Sequence, residues 1–222
     1  MSSNRIRTLI ISYLAMRRLI GVLGISLPFI LVIGGLSQDG HNLQGSISGY
    51  YYTNMRDLFV GILSGVALFL LSYRGYEQID DIVVNMSGLF ALGMILFPTA
   101  MFCGKPVRVG VFSIDDDISE QIHLAFGALF FLALSFNALF LFTKRHPGVM
   151  GEGKRRRNSI YRVCGVVMIL ALVCITVYTL FLRTTFLAAT NPVLILESVA
   201  LLAFGISWLV KGNTLFRDKM GG

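Results

Sequence analysis

Glu120 and His123 stand three residues apart, the spacing that puts two side chains on one face of a helix. Helical bundles use Glu-x-x-His to hold metal ions, with further carboxylates supplied by neighbouring helices. Asp57 and Glu197 are the carboxylates that other segments offer at a similar depth, so Glu120, His123, Asp57 and Glu197 form a candidate metal site. Three carboxylates and one imidazole suit a hard or borderline divalent cation, and such a metal is the cofactor this set points to. The same residues permit a second chemistry, with Ser48 or Ser46 as nucleophile, His123 as base and Asp57 orienting the base. That would make the protein a hydrolase acting at a membrane face. A third use needs no reaction. Glu197 lies about one turn inside an apolar run, where an ionisable group tends to face a cavity or a partner, and with Arg56 and Tyr51 it forms a candidate site for a small molecule, lipid or ion. Structural pairing competes with all three readings. Asp57, Asp117 and Glu120 fall where first-turn acids are expected, and Arg56 or Arg183 can neutralise Glu197. The sequence leaves enzyme, binding protein and assembly subunit open.

The elements that must position these residues are apolar helices. Of 222 residues, 55% are hydrophobic and only 14% charged, against roughly 25% charged in a soluble domain. The apolar residues come in blocks rather than in alternation, which points to lipid. Six blocks are long enough to span, at about 19–37, 57–74, 82–102, 121–143, 159–182 and 193–211. The expected fold is all-α, a polytopic bundle of six transmembrane helices forming a single membrane domain over residues 1–222. Residues 6–16 are expected as a short interfacial helix before the first span, and Pro28 as a kink within that span. The first block exceeds a signal-peptide core and no A-x-A site follows it, so it is expected to be retained.

Charge gives the orientation. With both termini on one side, only Arg56, Lys105, Arg108 and Arg183 of the 19 lysines and arginines fall on the other. The positive-inside rule then makes both termini cytoplasmic in the inner (plasma) membrane, with the lipid bilayer as partner. Seven of the 12 acids lie on the outer side under this topology, an excess that the rule does not explain. The net charge of +7 is not interleaved with aromatics on any soluble segment, so no nucleic-acid partner is expected. Lys154, Arg155, Arg156 and Arg157 can meet anionic lipid headgroups, although topology alone also accounts for them.

Gly61 and Gly65 are expected to form a close helix contact, and Tyr73, Tyr161, Tyr178 and Trp208 an aromatic belt at the span ends. Asn85, Ser87, Thr99, Asn137, Thr176 and Ser207 are expected to bond between helices. Cys164 and Cys174 are roughly 15 Å apart along one helix and cannot pair, and Cys103 has no CxxC partner. His41 and His146 fall in loops. P-loop, Rossmann, GxSxG and HExxH patterns are absent, as is a convincing internal repeat.

The strings SISGYYYTNMRDLFVG, YRGYEQIDD, GLFALGMILFPT, IHLAFGALFFLAL and FGISWLVKG resemble those of a family of uncharacterised bacterial multi-pass inner-membrane proteins. The resemblance covers most of the chain and implies a membrane fold without an activity to transfer. The six-span topology is more distantly similar to Frag1/DRAM/Sfk1-type proteins. The chain also looks like alkaline-ceramidase and adiponectin-receptor hydrolases in gathering Ser, Asp and His at one face, but it lacks their HxxxH motif.

Overall fold

A computed structural model describes residues 3–38, 43–75, 77–101, 108–144, 151–183, 185 and 189–212, with side chains from Tyr13 onward. Cys103, His41 and His146 lie outside these residues. The helices are α1 (Ser3–Gln38), α2 (Arg56–Leu71), α3 (Gln78–Leu96), α4 (Asp116–Phe136), α5 (Glu152–Val177) and α6 (Pro192–Lys211). Wide π-type turns extend α4 through Asn137–Leu141 and α5 through Tyr178–Leu182. A 3₁₀ turn, Ser48–Tyr52, precedes α2, and a two-residue hairpin pairs Arg108 with Asp115 and Val109 with Ile114 before α4.

The described chain is an all-α membrane protein. Five of its helices are long and apolar enough to cross a bilayer. Their outer faces carry large bare apolar side chains, among them Ile33, Leu89, Phe140, Leu170 and Phe181, a surface that lipid covers and water would not. The sixth helix, α2, has 16 residues and is about 24 Å long, short of the roughly 30 Å hydrocarbon layer. The expected interfacial helix at 6–16 is not separate. α1 runs unbroken through it and through Pro28.

Each helix packs on its neighbours in sequence, and α1 closes the ring against α6. The seam between α1 and α6 is set by Gly21 and Gly205. A Cβ on Gly21 would lie 2.7 Å from the Gly205 carbonyl oxygen, and one on Gly205 would lie 2.6 Å from that of Gly21. The two backbones therefore touch, which only glycine permits. Gly61 makes no such contact, since a Cβ there would meet nothing within 4 Å, and one on Gly65 would reach only Leu23. The expected Gly61–Gly65 packing face is thus an open surface.

Two further expectations change. Tyr73, Tyr161 and Trp208 are buried rather than ringed by lipid: Trp208 meets Tyr73, Phe142 and Phe204 edge-on, and Tyr161 meets Phe142 in the same way. The hydroxyls of Ser87, Thr176 and Ser207 bond back to carbonyls of their own helices, a local satisfaction that asks nothing of a neighbour. Asn85 does bond between helices, donating to the carbonyls of Leu70 and Leu71 at the end of α2.

At the end of the bundle that carries Arg17, charges meet side chain to side chain. Arg17 is buried, donates to the hydroxyls of Tyr13 (2.7 Å) and Tyr73 (3.0 Å), and lies over the Tyr13 ring. Arg18 donates to the Gly212 carbonyl, capping the end of α6. Lys144 bonds Glu77 (2.7 Å) and Asp80 (2.8 Å), which themselves form the capping box that starts α3.

Candidate functional site

At the opposite end, the fold begins from a proline. An N–H at position 98 would normally close the last turn of α3 on the Met94 carbonyl, but Pro98 has none. α3 stops at Leu96 and leaves its final carbonyls without helical partners. Two side chains one turn apart on α4 take them. Ser119 Oγ donates to the Pro98 carbonyl at 2.6 Å, and His123 Nδ1 lies 3.0 Å from the Met94 oxygen and 2.9 Å from the Phe97 oxygen. Carbonyls only accept, so Nδ1 carries the proton, by assignment from this hydrogen-bond pattern. In the neutral ring, Nε2 then presents its lone pair. It faces Ser48 Oγ at 2.8 Å, and the serine hydroxyl donates to it.

Ser48 is placed by the loop before α2. Ser46 Oγ accepts the Gly49 N–H at 3.0 Å, which folds residues 46–49 into a tight turn. The loop is clipped onto α6 twice. The Leu194 N–H donates to the Gly45 carbonyl at 3.0 Å, and the Ile47 N–H donates to Glu197 Oε2 at 2.6 Å. The Ser48 N–H is directed at the same carboxylate. Glu197 therefore finds its partners in the main chain, and no arginine is needed to account for its position.

Between α4, α5 and α6 these groups border a cavity of about 290 Å³. Ser48, Glu120, His123, Arg183 and Glu197 are among its polar lining, with Ser46, Thr99 and Asn191 beside them, and Leu124, Ile175, Pro192 and Val193 are its apolar lining. Tyr178 and Thr179 enter from the π turn that ends α5, a widening that recurs at functional sites. Behind Ser48 and Glu197, a second void of about 20 Å³ is walled by Leu27, Phe59, Leu63, Phe130 and Phe131.

The structure thus joins Ser48, Glu120, His123 and Glu197, and it separates Asp57, Arg56 and Tyr51 from them. These three line a different groove, between α2, α3 and the hairpin, together with Gly61 and Val111. There Arg56 donates to the Tyr51 hydroxyl at 2.9 Å and lies over its ring. Two readings from the sequence are corrected. Asp57 does not orient His123, because backbone carbonyls occupy Nδ1. Nor do Glu120, His123, Asp57 and Glu197 form one coordination shell: Asp57 faces another groove, and among the described residues no three His, Cys, Asp or Glu side chains gather as metal ligands. The binding set of Glu197, Arg56 and Tyr51 is likewise split between two grooves.

The outer acids also divide. Asp115 pairs loosely with Arg108 across the hairpin at 3.9 Å, and Asp116 accepts the N–H of Asp117 in the first turn of α4. Glu120 and Glu197 alone of the acids considered line the cavity. Of the groups at the end of α5, the sequence pointed to Arg183 as a partner of Glu197 but placed Tyr178 in an aromatic belt and gave Thr179 no role, since both follow a mainly apolar run. Pro98 was the signal for His123's partners: a proline ending a helix frees the carbonyl four residues before it.

The profile of a family described as "Protein of unknown function (DUF998)" matches residues 43–211, which include both helix ends and the loop that build the cavity. No curated protein and no solved structure matches the chain.

Proposed function

The chain belongs to the DUF998 family, and we propose that it is an inner-membrane protein whose cavity receives the polar end of an amphiphilic small molecule or lipid. The observation that carries this reading is the convergence of Ser48, Glu120, His123, Arg183 and Glu197 on one cavity that Leu124, Ile175, Pro192 and Val193 also line. Convergent polar groups in a mostly apolar recess are the general form of a ligand site. A volume of about 290 Å³ suits a headgroup or a small ligand rather than a whole lipid, since pockets for drug-sized molecules run from roughly 300 to 1,000 Å³. The rest of an amphiphile would lie against the exposed apolar face of α5, where Val173, Val177 and Leu180 are bare.

The basic residues support an orientation with both termini in the cytoplasm, six crossings and the cavity at the extracytoplasmic end. In this topology α2 crosses with the help of the turn before it or of local bilayer thinning. Arg155 and Arg156 are then exposed at the cytoplasmic surface, where anionic headgroups can reach them, whereas Lys154 turns back to the Phe142 carbonyl.

The test is native mass spectrometry of the full chain extracted in mild detergent. We expect a copurifying amphiphile that is lost in Val193→Trp, which fills the cavity, and weakened in Glu197→Gln, with both variants keeping the wild-type helical circular dichroism. Identical ligand-free spectra from wild type and Val193→Trp, also after incubation with bacterial lipid extract, would overturn the proposal. Stoichiometric copurification of another membrane protein seated over the cavity mouth would instead favour an assembly subunit.

A further inference from the structure

We propose that Ser48 is a nucleophile activated by His123, and that the amphiphile entering the cavity is a carboxylic ester. The proposal rests on the binding reading above and adds chemistry to it. A buried serine–histidine bond is often only structural, so the arrangement around it matters. His123 is held in the one tautomer that makes Nε2 a base, because Nδ1 is fixed on the carbonyls of Met94 and Phe97. The acid that orients the base in many hydrolases is replaced here by main-chain carbonyls, which fix the tautomer as that acid does but place only their dipoles, not a full charge, beside the imidazolium. Nε2 lies 2.8 Å from Ser48 Oγ, within reach for direct proton transfer. Both groups border the cavity, so a substrate carbonyl there can approach Oγ.

The step balances without a co-reactant other than water. Ser48 Oγ attacks the ester carbonyl carbon as its proton passes to His123 Nε2. The C–O bond to the alcohol then breaks, and the alcohol leaves with that proton, giving an acyl-serine. Water adds to the acyl carbon with His123 again taking and returning a proton, which releases the carboxylic acid and restores Ser48. The Ile47 N–H, one residue before Ser48, already donates to a carboxyl oxygen of Glu197, and the Ser48 N–H is directed at the same group. A substrate oxyanion would compete with this carboxyl group for the Ser48 N–H, so Glu197 restrains the site.

The test is covalent labelling of the full-length protein, in native membranes and in mild detergent, by a fluorophosphonate carrying a long alkyl chain. In that reaction Oγ–P forms, P–F breaks, and fluoride leaves. We expect an adduct mapped by mass spectrometry to Ser48, none in Ser48→Ala, labelling at least tenfold slower in His123→Gln, and labelling severalfold faster in Glu197→Ala. If His123→Gln does not fold, Ser48→Ala, which loses only a hydroxyl, and Glu197→Ala carry the comparison. Absence of a Ser48 adduct in folded wild type and in Glu197→Ala, while the amphiphile is still retained, would overturn the nucleophile and leave the binding site standing. Labelling of Ser48 by a short-chain fluorophosphonate in a protein that retains no amphiphile would uphold the nucleophile and sink the binding proposal.

Discussion

The two ends of the bundle satisfy buried polar groups in opposite ways. At the basic end the shorter bonds of the buried charges run between side chains, Arg17 with Tyr13 and Tyr73 and Lys144 with Glu77 and Asp80, over a floor of Tyr73, Phe142 and Trp208. Arg17 and Arg18 also reach the carbonyls of Lys211 and Gly212. At the cavity end the main chain holds the side chains, with His123 on two carbonyls and Glu197 on the Ile47 N–H. A network closed among side chains fills its own space. Side chains held by backbone keep other atoms free, and Nε2 of His123 is such an atom, turned to a serine beside open volume. The difference teaches where rigidity serves stability and where it serves a site.

The sharpest way to break the comparison is at Arg17. Arg17→Ala removes a buried guanidinium and its bonds to two phenols, and should cost about 3 kcal/mol, since each hydrogen bond to a charged group contributes roughly 1.5–3. Equilibrium unfolding in mixed micelles measures it. A loss below about 1 kcal/mol would show the basic end to be no more than a solvated surface.

Asp80→Ala comes next. It leaves Lys144 with the largely exposed Glu77 and removes half of the capping box, for a loss of about 2 kcal/mol after allowing for the partial exposure of Lys144. The pair also fixes a pH dependence. Desolvation lowers the Lys144 pKa, but its bonds to Asp80 and Glu77 outweigh that and raise it above the usual lysine value. A raised base stabilises the folded state fully below its unfolded pKa, near 10.4, and loses that contribution as pH climbs through the folded value. The stability difference between wild type and Asp80→Ala should therefore stay flat from pH 7 to 9 and shrink only in strong alkali. A difference that shrinks already between pH 7 and 9 would contradict the ion pair.

How much of this was legible in the sequence follows the same division. The helices were, because an apolar run long enough to span is sufficient cause for one. Glu-x-x-His was legible too, as a pair on one face of α4. The partners of that face were not. Asp57 stands at a similar depth to Glu197, but the direction in which a residue near a helix start points depends on how the helix is rotated in the bundle. For α2 that rotation is set by contacts such as Gly88 of α3 on Ala67 and Leu71, far from the site. Asp57 therefore faced the α2–α3 groove while Tyr178 and Thr179 of α5 faced the cavity.

A smaller loss is expected at the cavity end itself. His123→Gln keeps an amide donor for one α3 carbonyl and loses the bond to Ser48, so stability should fall by about 1 kcal/mol. The same unfolding measurement checks it. A loss as large as that of Arg17→Ala would mean that both ends are built alike and would erase the distinction.

The smallest effect probes the origin of the site. Pro98→Ala restores an N–H that can close the last turn of α3 on Met94, the carbonyl that His123 now shares. The unfolded chain gains freedom when proline is lost, while the helix gains a hydrogen bond, so the net stability change should be within about 0.5–1 kcal/mol. The tautomer is the better readout. With Met94 taken by the restored N–H, His123 keeps only the Phe97 carbonyl on Nδ1, and nitrogen NMR of the labelled ring should report a larger share of the Nε2–H form. In that form Nε2 donates to Ser48 and can no longer accept its proton. If Pro98→Ala leaves the ring wholly in the Nδ1–H form, one carbonyl is enough to orient it, and the break in α3 contributes a boundary to the cavity but not the chemistry of its base.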